Sequence, residues 1–334
     1  MKCLVCSSQA AEGEPCRVCG YEGNGAVFAT RALALKHAEK AELARRQYGN
    51  DRQPLTERSA LTERSSRKTQ SIQSVLALGV GFGIYLWKGK IYEFGNSMGR
   101  QGLEGMKNVV AVAAGRYHSA ALSADGRVCA SGIGTVGQLD VSGWRGIVSL
   151  AASSDCTVGV TEDGSVMVAG NNAQSWFRDW SEMSKISAAG HMAIGLKKDG
   201  TAIVANSRLD VSSWSGLIDV RAGDDFACGL TKSGKVLFRG SGLNDSLDVS
   251  KWKDIISIEA SSSRIYGVNS SGRAFSVGSD SRSMSDNIKK WRKIDSIVAN
   301  DRMCIGLFEG KPVADAGGNS PLLKALWEVV SRII

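Results

Sequence analysis

Four thiols near the start of the chain are the residues best suited to chemistry. Cys3-x2-Cys6 is followed, nine residues on, by Cys16-x2-Cys19-Gly20. Two Cys-x-x-Cys pairs so placed present four thiolates tetrahedrally to Zn²⁺, at about 2.3 Å from each sulfur. A disulfide pair or a redox Cys-x-x-Cys fits less well, because no βαβ pattern surrounds either pair. With Cys3, Cys6, Cys16 and Cys19 all ligating, the site is closed and structural, and no position is left for a catalytic water. A segment this short cannot bury a core, so the metal supplies the folding free energy of residues 1–24.

Other chemistry is hard to place. The sequence has no P-loop, GxSxG elbow, HExxH or DxDxDG loop. The histidines His37, His118 and His191 lie in different regions without acidic partners at fixed spacing. Each is expected to be a turn or core residue, and the chain is expected not to be an enzyme.

The frame around these residues is a repeat. Turn glycines recur at Gly89, Gly126, Gly164, Gly200, Gly234, Gly272 and Gly310, at intervals of 37, 38, 36, 34, 38 and 38 residues. Tryptophans recur in step at Trp144, Trp180, Trp214, Trp252 and Trp291, and three of them close the hexapeptides LDVSGW, LDVSSW and LDVSKW. Two independent markers with one period define a repeat protein. Within each unit a first apolar run such as VVAVAA (109–114) is followed by two more, such as TVGV (157–160) and SVMVAG (165–170), that flank an Asp-Gly or Ser-Gly pair. These read as hairpins joined by two-residue turns. Three strands plus the LDVS-x-W segment make a blade of about four strands, and seven units close into a ring. An open β-solenoid is the alternative, but its coils usually need fewer residues. The run VLALGVG (75–81), overlaid on VVAVAAG (109–115), opens the first blade, and it is too short to span a membrane as a helix.

The residues Gly115, His118, Ser119, Leu122, Asp125, Gly126, Arg127, Val128 and Gly137-Gln138-Leu139 carry a pattern that resembles the regulator of chromosome condensation repeat. The resemblance is to its short bacterial form, and it implies a seven-bladed propeller. The amino-terminal cysteines resemble a short zinc ribbon. The expected architecture is therefore all-β: a zinc ribbon (1–24), a helix (25–48), a flexible linker (49–71), a seven-bladed β-propeller (72–319) and a C-terminal helix (320–334). Ser320-Pro321 is an N-cap followed by proline at the first helical position, and Leu322, Leu323, Leu326, Val329, Val330 and Ile333 fall on one helical face. A degenerate repeat strand is the alternative for this tail.

The net charge of +8 and pI of about 9.1 give weak attraction to anions, but no Lys/Arg block has the density of a nucleic-acid site. Cys129, Cys156, Cys228 and Cys304, one per repeat, are expected as small buried hydrophobes. Thiolate ligands and lone cysteines together point to the reducing cytoplasm, as does the lack of a signal-peptide h-region. Features that recur have structural reasons, so recognition is expected where the repeat is broken. Asn171–Glu182 is the clearest such break, and Trp176, Phe177 and Arg178 are its candidate partner-binding residues, with folding back onto the blade as the alternative. The expected role is a protein–protein interaction module. Nucleic-acid association through the basic amino-terminal half is an alternative. Regulation of a guanine-nucleotide-binding protein is a further one, implied by the family resemblance. For the metal, elemental analysis is expected to find zinc in the wild type and a loss of it in Cys16→Ser; near-zero zinc in both would remove the site.

Overall fold

The computed structural model of the chain describes residues 75–96, 102–103, 105–170, 173–205, 208–240, 248–278, 287–316 and 320–334. Cys3, Cys6, Cys16 and Cys19, the helix expected at 25–48 and the linker at 49–71 lie outside the described residues.

The repeat folds into seven antiparallel sheets, each of three consecutive strands. They are β1 (Leu76–Leu78), β2 (Phe82–Trp87) and β3 (Lys90–Gly95); β4 (Val109–Ala114), β5 (His118–Ser123) and β6 (Val128–Gly132); and β7 (Ile147–Ala152), β8 (Thr157–Thr161) and β9 (Val166–Ala169). Then come β10 (Met183–Ala189), β11 (Met192–Lys197) and β12 (Ala202–Ala205), followed by β13 (Leu217–Ala222), β14 (Phe226–Thr231) and β15 (Val236–Gly240). The last two blades are β16 (Ile255–Ala260), β17 (Arg264–Asn269), β18 (Ala274–Gly278) and β19 (Ser296–Ala299), β20 (Cys304–Phe308), β21 (Lys311–Ala316). First strands of successive blades lie side by side in chain order, and β19 returns to β1. The ring is closed, as a seven-bladed propeller.

The fourth strand expected of each blade does not form in LDVS-x-W, and the reason is local. Asp210 Oδ1 accepts from Ser212 N, and Asp248 Oδ1 from Ser250 N, both at 2.9 Å. Trp144, Trp214 and Trp252 each donate their backbone N–H three residues back, to Val141, Val211 and Val249. The segment satisfies its backbone within itself, as an Asx turn does, and uses its valine and tryptophan as buried anchors.

Those anchors hold the blades together. Each tryptophan lies against the glycine in the middle of the next blade's second strand: Trp144 on Gly159, Trp180 on Gly195, Trp214 on Gly229, Trp252 on Gly267 and Trp291 on Gly306. A Cβ at Gly267 would sit 2.6 Å from the Trp252 ring, and one at Gly195 2.5 Å from Trp180. A second link is backbone to backbone. The turn glycine of one blade accepts from the first strand of the next, as in Ile147 N to Gly126 O (3.0 Å) and Leu217 N to Gly200 O (2.9 Å).

Turns depart from expectation in five blades. Only blades 1 and 7 have two-residue connections, Lys88-Gly89 and Glu309-Gly310, with positive φ at both positions. In blade 2 the loop is longer: Gly126 N donates to Ser123 O, and Gly126 itself is left-handed at φ 76°. This is a tight turn followed by a left-handed residue.

The ring closes at a seam between blades 7 and 1. Leu76, Leu78, Tyr85 and Phe94 of blade 1 share one core with Val298, Met303, Ile305 and Leu307 of blade 7. The C-terminal helix α1 (Pro321–Ile333) adds Leu322, Leu323, Leu326 and Val330 to it. The tail is thus a helix rather than a strand, with Ser320 Oγ accepting from Leu322 N. Blade 1 sits two residues out of the expected register. Gly79, not Gly81, makes the bend equivalent to Gly115, since Gly79 N pairs with Phe82 O as Gly115 N pairs with His118 O.

Gly267→Ala is expected to destabilise the fold by about 1–3 kcal/mol through overpacking against Trp252. Adding Trp252→Leu makes room for the methyl, so the double variant should be more stable than the sum of the single effects predicts. Strict additivity in a double-mutant cycle by denaturant unfolding would break this account of the blade contact.

Candidate functional site

The first strands line an axial cavity of about 700 Å³. Much of its wall is alanine and serine, such as Ala111, Ala113, Ser149, Ala151, Ser187 and Ala188. Small side chains are what seven converging strands leave room for. At the end of the cavity nearest the hairpin turns, five first strands carry the same irregularity. Their pairing shifts between Val109 and Ala111, Ile147 and Ser149, Met183 and Lys185, Leu217 and Asp219, and Ile255 and Ser257. The extra residue of each bulge is Val110, Val148, Ser184, Ile218 or Ile256. A bulge re-aims the side chain it carries, and here it leaves Val110 at 42% and Val148 at 51% exposure. The signal was present in the sequence as apolar doublets opening each run: Val109-Val110, Ile147-Val148, Leu217-Ile218 and Ile255-Ile256.

Deeper in the same wall lies a charge network that sequence reasoning missed. Lys185 of β10 meets Asp219 of β13 at 3.3 Å, Asp219 meets Arg221 at 3.0 Å, and Arg221 meets Glu259 of β16 at 3.4 Å. Arg221 Nη1 also donates to Val220 O, and Ala260 N donates to Glu259 Oε1. Burial raises the Glu259 carboxyl above its ordinary range, against the pull of Arg221. Losing one member would leave an unpaired buried charge, so the network locks blades 4, 5 and 6 in register more than it adds net stability. Charges inside apolar runs, LIDVRA and IISIEA, were the available hint.

His118 is fully buried and is part of the frame. Thr157 Oγ1 donates its one proton to Gln138 O at 2.8 Å, so at 3.0 Å His118 Nε2 must be the donor to Thr157. The proton therefore sits on Nε2, and buried Nδ1 has no partner. Burial pushes the imidazole down to about 4, with Asp155 opposing weakly. Gln138 in turn accepts from Val136 N and donates to Ile133 O. The chain from blade 2 through the GQL loop to blade 3 is thereby fixed. His191 lies in the loop before β11, near Asp224, and does not begin the strand as His118 does; Met192 does. His37 is outside the described residues.

The turn aspartates serve backbone geometry, as expected. Asp199 accepts from Thr201 N and Oγ1 at 2.8 and 2.7 Å, and Asp163 accepts from Thr161 Oγ1 and Ser165 N. Arg127 and then Ser123 hold the Asp125 carboxyl down at about 2. Trp176, Phe177 and Arg178 separate from one another. Phe177 ends a single 3-10 turn (Ala173–Phe177) and is buried, edge-on to Trp180 with ring centroids 4.8 Å apart. Trp176 is half-buried against the same core, and Arg178 is exposed. The aromatic pair folds back onto the blade, because the break in the repeat removes the valine anchor and Phe177 fills that place beside Trp180. Phe177 thus has no surface to offer a partner. Cys156, Cys228 and Cys304 are buried as expected, whereas Cys129 is exposed, since it alternates outward next to inward Val128 on β6.

The regulator of chromosome condensation (RCC1) repeat family matches residues 109–138. No curated protein matches the chain. Among solved structures, the chain is similar to the CRINKLY WD40 ectodomain of the Arabidopsis thaliana receptor kinase ACR4. The identity there is 22% and the TM-score 0.51, over 62% of this chain and 80% of that one. Prp20p from Saccharomyces cerevisiae, described with its binding properties to Gsp1p and histones, is similar at 16% identity and TM-score 0.50, over 77% and 85%. Yeast RCC1 (Prp20) bound to Kap60 matches at 15% identity and TM-score 0.50, over 66% and 71%. The chain is a seven-bladed propeller, and its second blade carries the match to the RCC1 repeat.

The histidine sets a pH signature. Its folded value near 4 lies below the ordinary 6.5, so the unfolded chain binds one more proton between those values. Stability is unaffected above pH 6.5 and falls as pH drops toward 4, by on the order of 3 kcal/mol in all. His118→Gln should remove about one proton from the slope of unfolding free energy against pH in this window; an unchanged slope contradicts the buried neutral ring.

Proposed function

We propose that the chain is a non-enzymatic protein–protein interaction module: a rigid propeller that presents a binding surface, with a zinc ribbon and helix as a second docking element. The observation that carries this reading is the division of labour among its residues. Among the described residues, the turn aspartates and His118 are held by the frame, while apolar side chains stand exposed where the blades converge. Fold likeness to Prp20p, whose description names Gsp1p and histones, agrees with a protein-binding role. Regulation of a guanine-nucleotide-binding protein, implied by the repeat resemblance, is the second reading. Association with nucleic acid through the basic amino-terminal half is a third.

The zinc ribbon of Cys3, Cys6, Cys16 and Cys19, with structural Zn²⁺, belongs to the same proposal. Its support is the donor set, four soft thiolates at the spacing zinc takes. The repeat is of the short bacterial type, and the working compartment is the cytoplasm, where thiols stay reduced; the four described cysteines are all free. Among the described residues, no helix is long and apolar enough to cross a membrane.

Affinity capture from lysate, with the full chain beside a chain beginning at residue 72, tests the module. A protein captured by both forms places binding on the propeller, and one captured only by the full chain places it on the amino-terminal segment. Failure of the full chain to capture any protein reproducibly overturns the reading.

A further inference from the structure

The five bulges do more than relieve strain at the convergence of the strands. They set a short collar at the turn-side mouth of the axial cavity, Val110 and Val148 with Ser184 beside them, whereas Ile218 lines the neighbouring cleft and packs on the core around Trp252. Val110 and Val148 are among the most exposed apolar residues of the propeller. Beside the mouth, between blades 4 and 5, lies a cleft of about 290 Å³ that shares Ser184, Lys185 and Lys198 with the axial cavity. Lys197 and Lys232 line it as well.

The acids nearby offset this charge only in part. Asp219 is committed to Lys185 and Arg221, and Lys198 Nζ donates to the backbone carbonyls of Glu162 and Asp163. Lys197 and Lys232 then face Asp199 in the cleft, with Glu162 on the axial side. The mouth is thus apolar at its centre and positive on one side. We propose that it docks an acidic segment of a partner protein, with one apolar side chain seated between Val110 and Val148 and carboxylates meeting Lys197 and Lys232. This rests on the interaction-module reading and assigns it a face and a partner chemistry. The collar favours protein over nucleic acid, because aliphatic side chains offer no flat ring on which bases stack. An apolar anchor ringed by charge is how interfaces combine affinity with orientation.

Fluorescence anisotropy tests the site, using the full chain and a labelled glutamate-rich peptide with one central leucine. Saturable binding is expected, weakening as salt rises. Replacing the leucine by glycine, Val148→Asp, or Lys232→Glu should each weaken it about tenfold, on the order of 1.4 kcal/mol. Both side chains are exposed, so melting temperatures should stay at the wild-type value, and this is measured in parallel. No saturable binding, equal affinity for the leucine-free peptide, or indifference to Val148→Asp each overturns the proposal. So does displacement of the peptide by oligothymidylate, which would assign the face to nucleic acid. Lysate capture that persists in the absence of peptide binding keeps the module reading and removes only this site.

Discussion

One steric exchange governs the ring: a tryptophan from one unit takes the space that a side chain would occupy in the next. The second strand of each blade has one position where this is decided, and it is occupied by Tyr85, Ala121, Gly159, Gly195, Gly229, Gly267 and Gly306. Where a tryptophan precedes the blade, the residue is glycine. Before blade 2 the anchor is Leu103, which shares a core with Ala121. Blade 1 opens without such an anchor among the described residues, and the position is filled by Tyr85 from within. Large with none, medium with small, none with large: total volume is conserved around the ring, as a close-packed interior requires. Each indole also removes a large apolar area from water, so the contact stabilises as well as fits.

The same logic explains how much of the fold was legible. Glycine and tryptophan carry irreplaceable shapes, so blade number and period were written in plain markers. Positions where backbone alone is constrained left no such mark. A residue leading into the first strand is left-handed in six blades, yet it is Asn108, Gly146, Glu182, Gly216, Asp254 and Lys293 in turn. Only two of these are glycine, so no pattern showed. LDVS-x-W was read as a strand because valine and tryptophan favour strands, but the Asp side chain captures the backbone N–H two residues on and turns the chain instead.

The candidate site was less legible, for a topological reason. Lys185, Asp219, Arg221 and Glu259 come from three blades, and residues some 35 positions apart become neighbours only because the repeat is wound into a ring. The collar is similar: Val110 and Val148 look like ordinary strand residues until the bulge that displaces them is known. Phe177 misled in the opposite direction. Its departure from the repeat looked like freedom to bind, whereas it substitutes for a lost anchor beside Trp180. A break in a repeat can be a repair of the frame rather than an addition to it.

Closure puts the strongest demand on the two blades that are neighbours in space and most distant in sequence. At five of the other six interfaces the turn-glycine carbonyl accepts from a backbone N–H of the following blade. At the seam, Gly310 O accepts instead from the Tyr85 hydroxyl at 3.1 Å, buried, across 225 residues. The tyrosine therefore performs two tasks with one side chain: its ring fills the space a tryptophan fills elsewhere, and its hydroxyl replaces the missing backbone donor. Asn300 Nδ2 to Gly79 O adds a second side-chain bond across the same gap, and α1 covers it with four buried aliphatics. Closing a long loop carries an entropic penalty that grows only slowly with length, so a handful of specific contacts suffices to offset it. The first and last strands of the ring and α1 thus meet at one seam, and the bulges that expose Val110 and Val148 lie in blades 2 and 3, away from it.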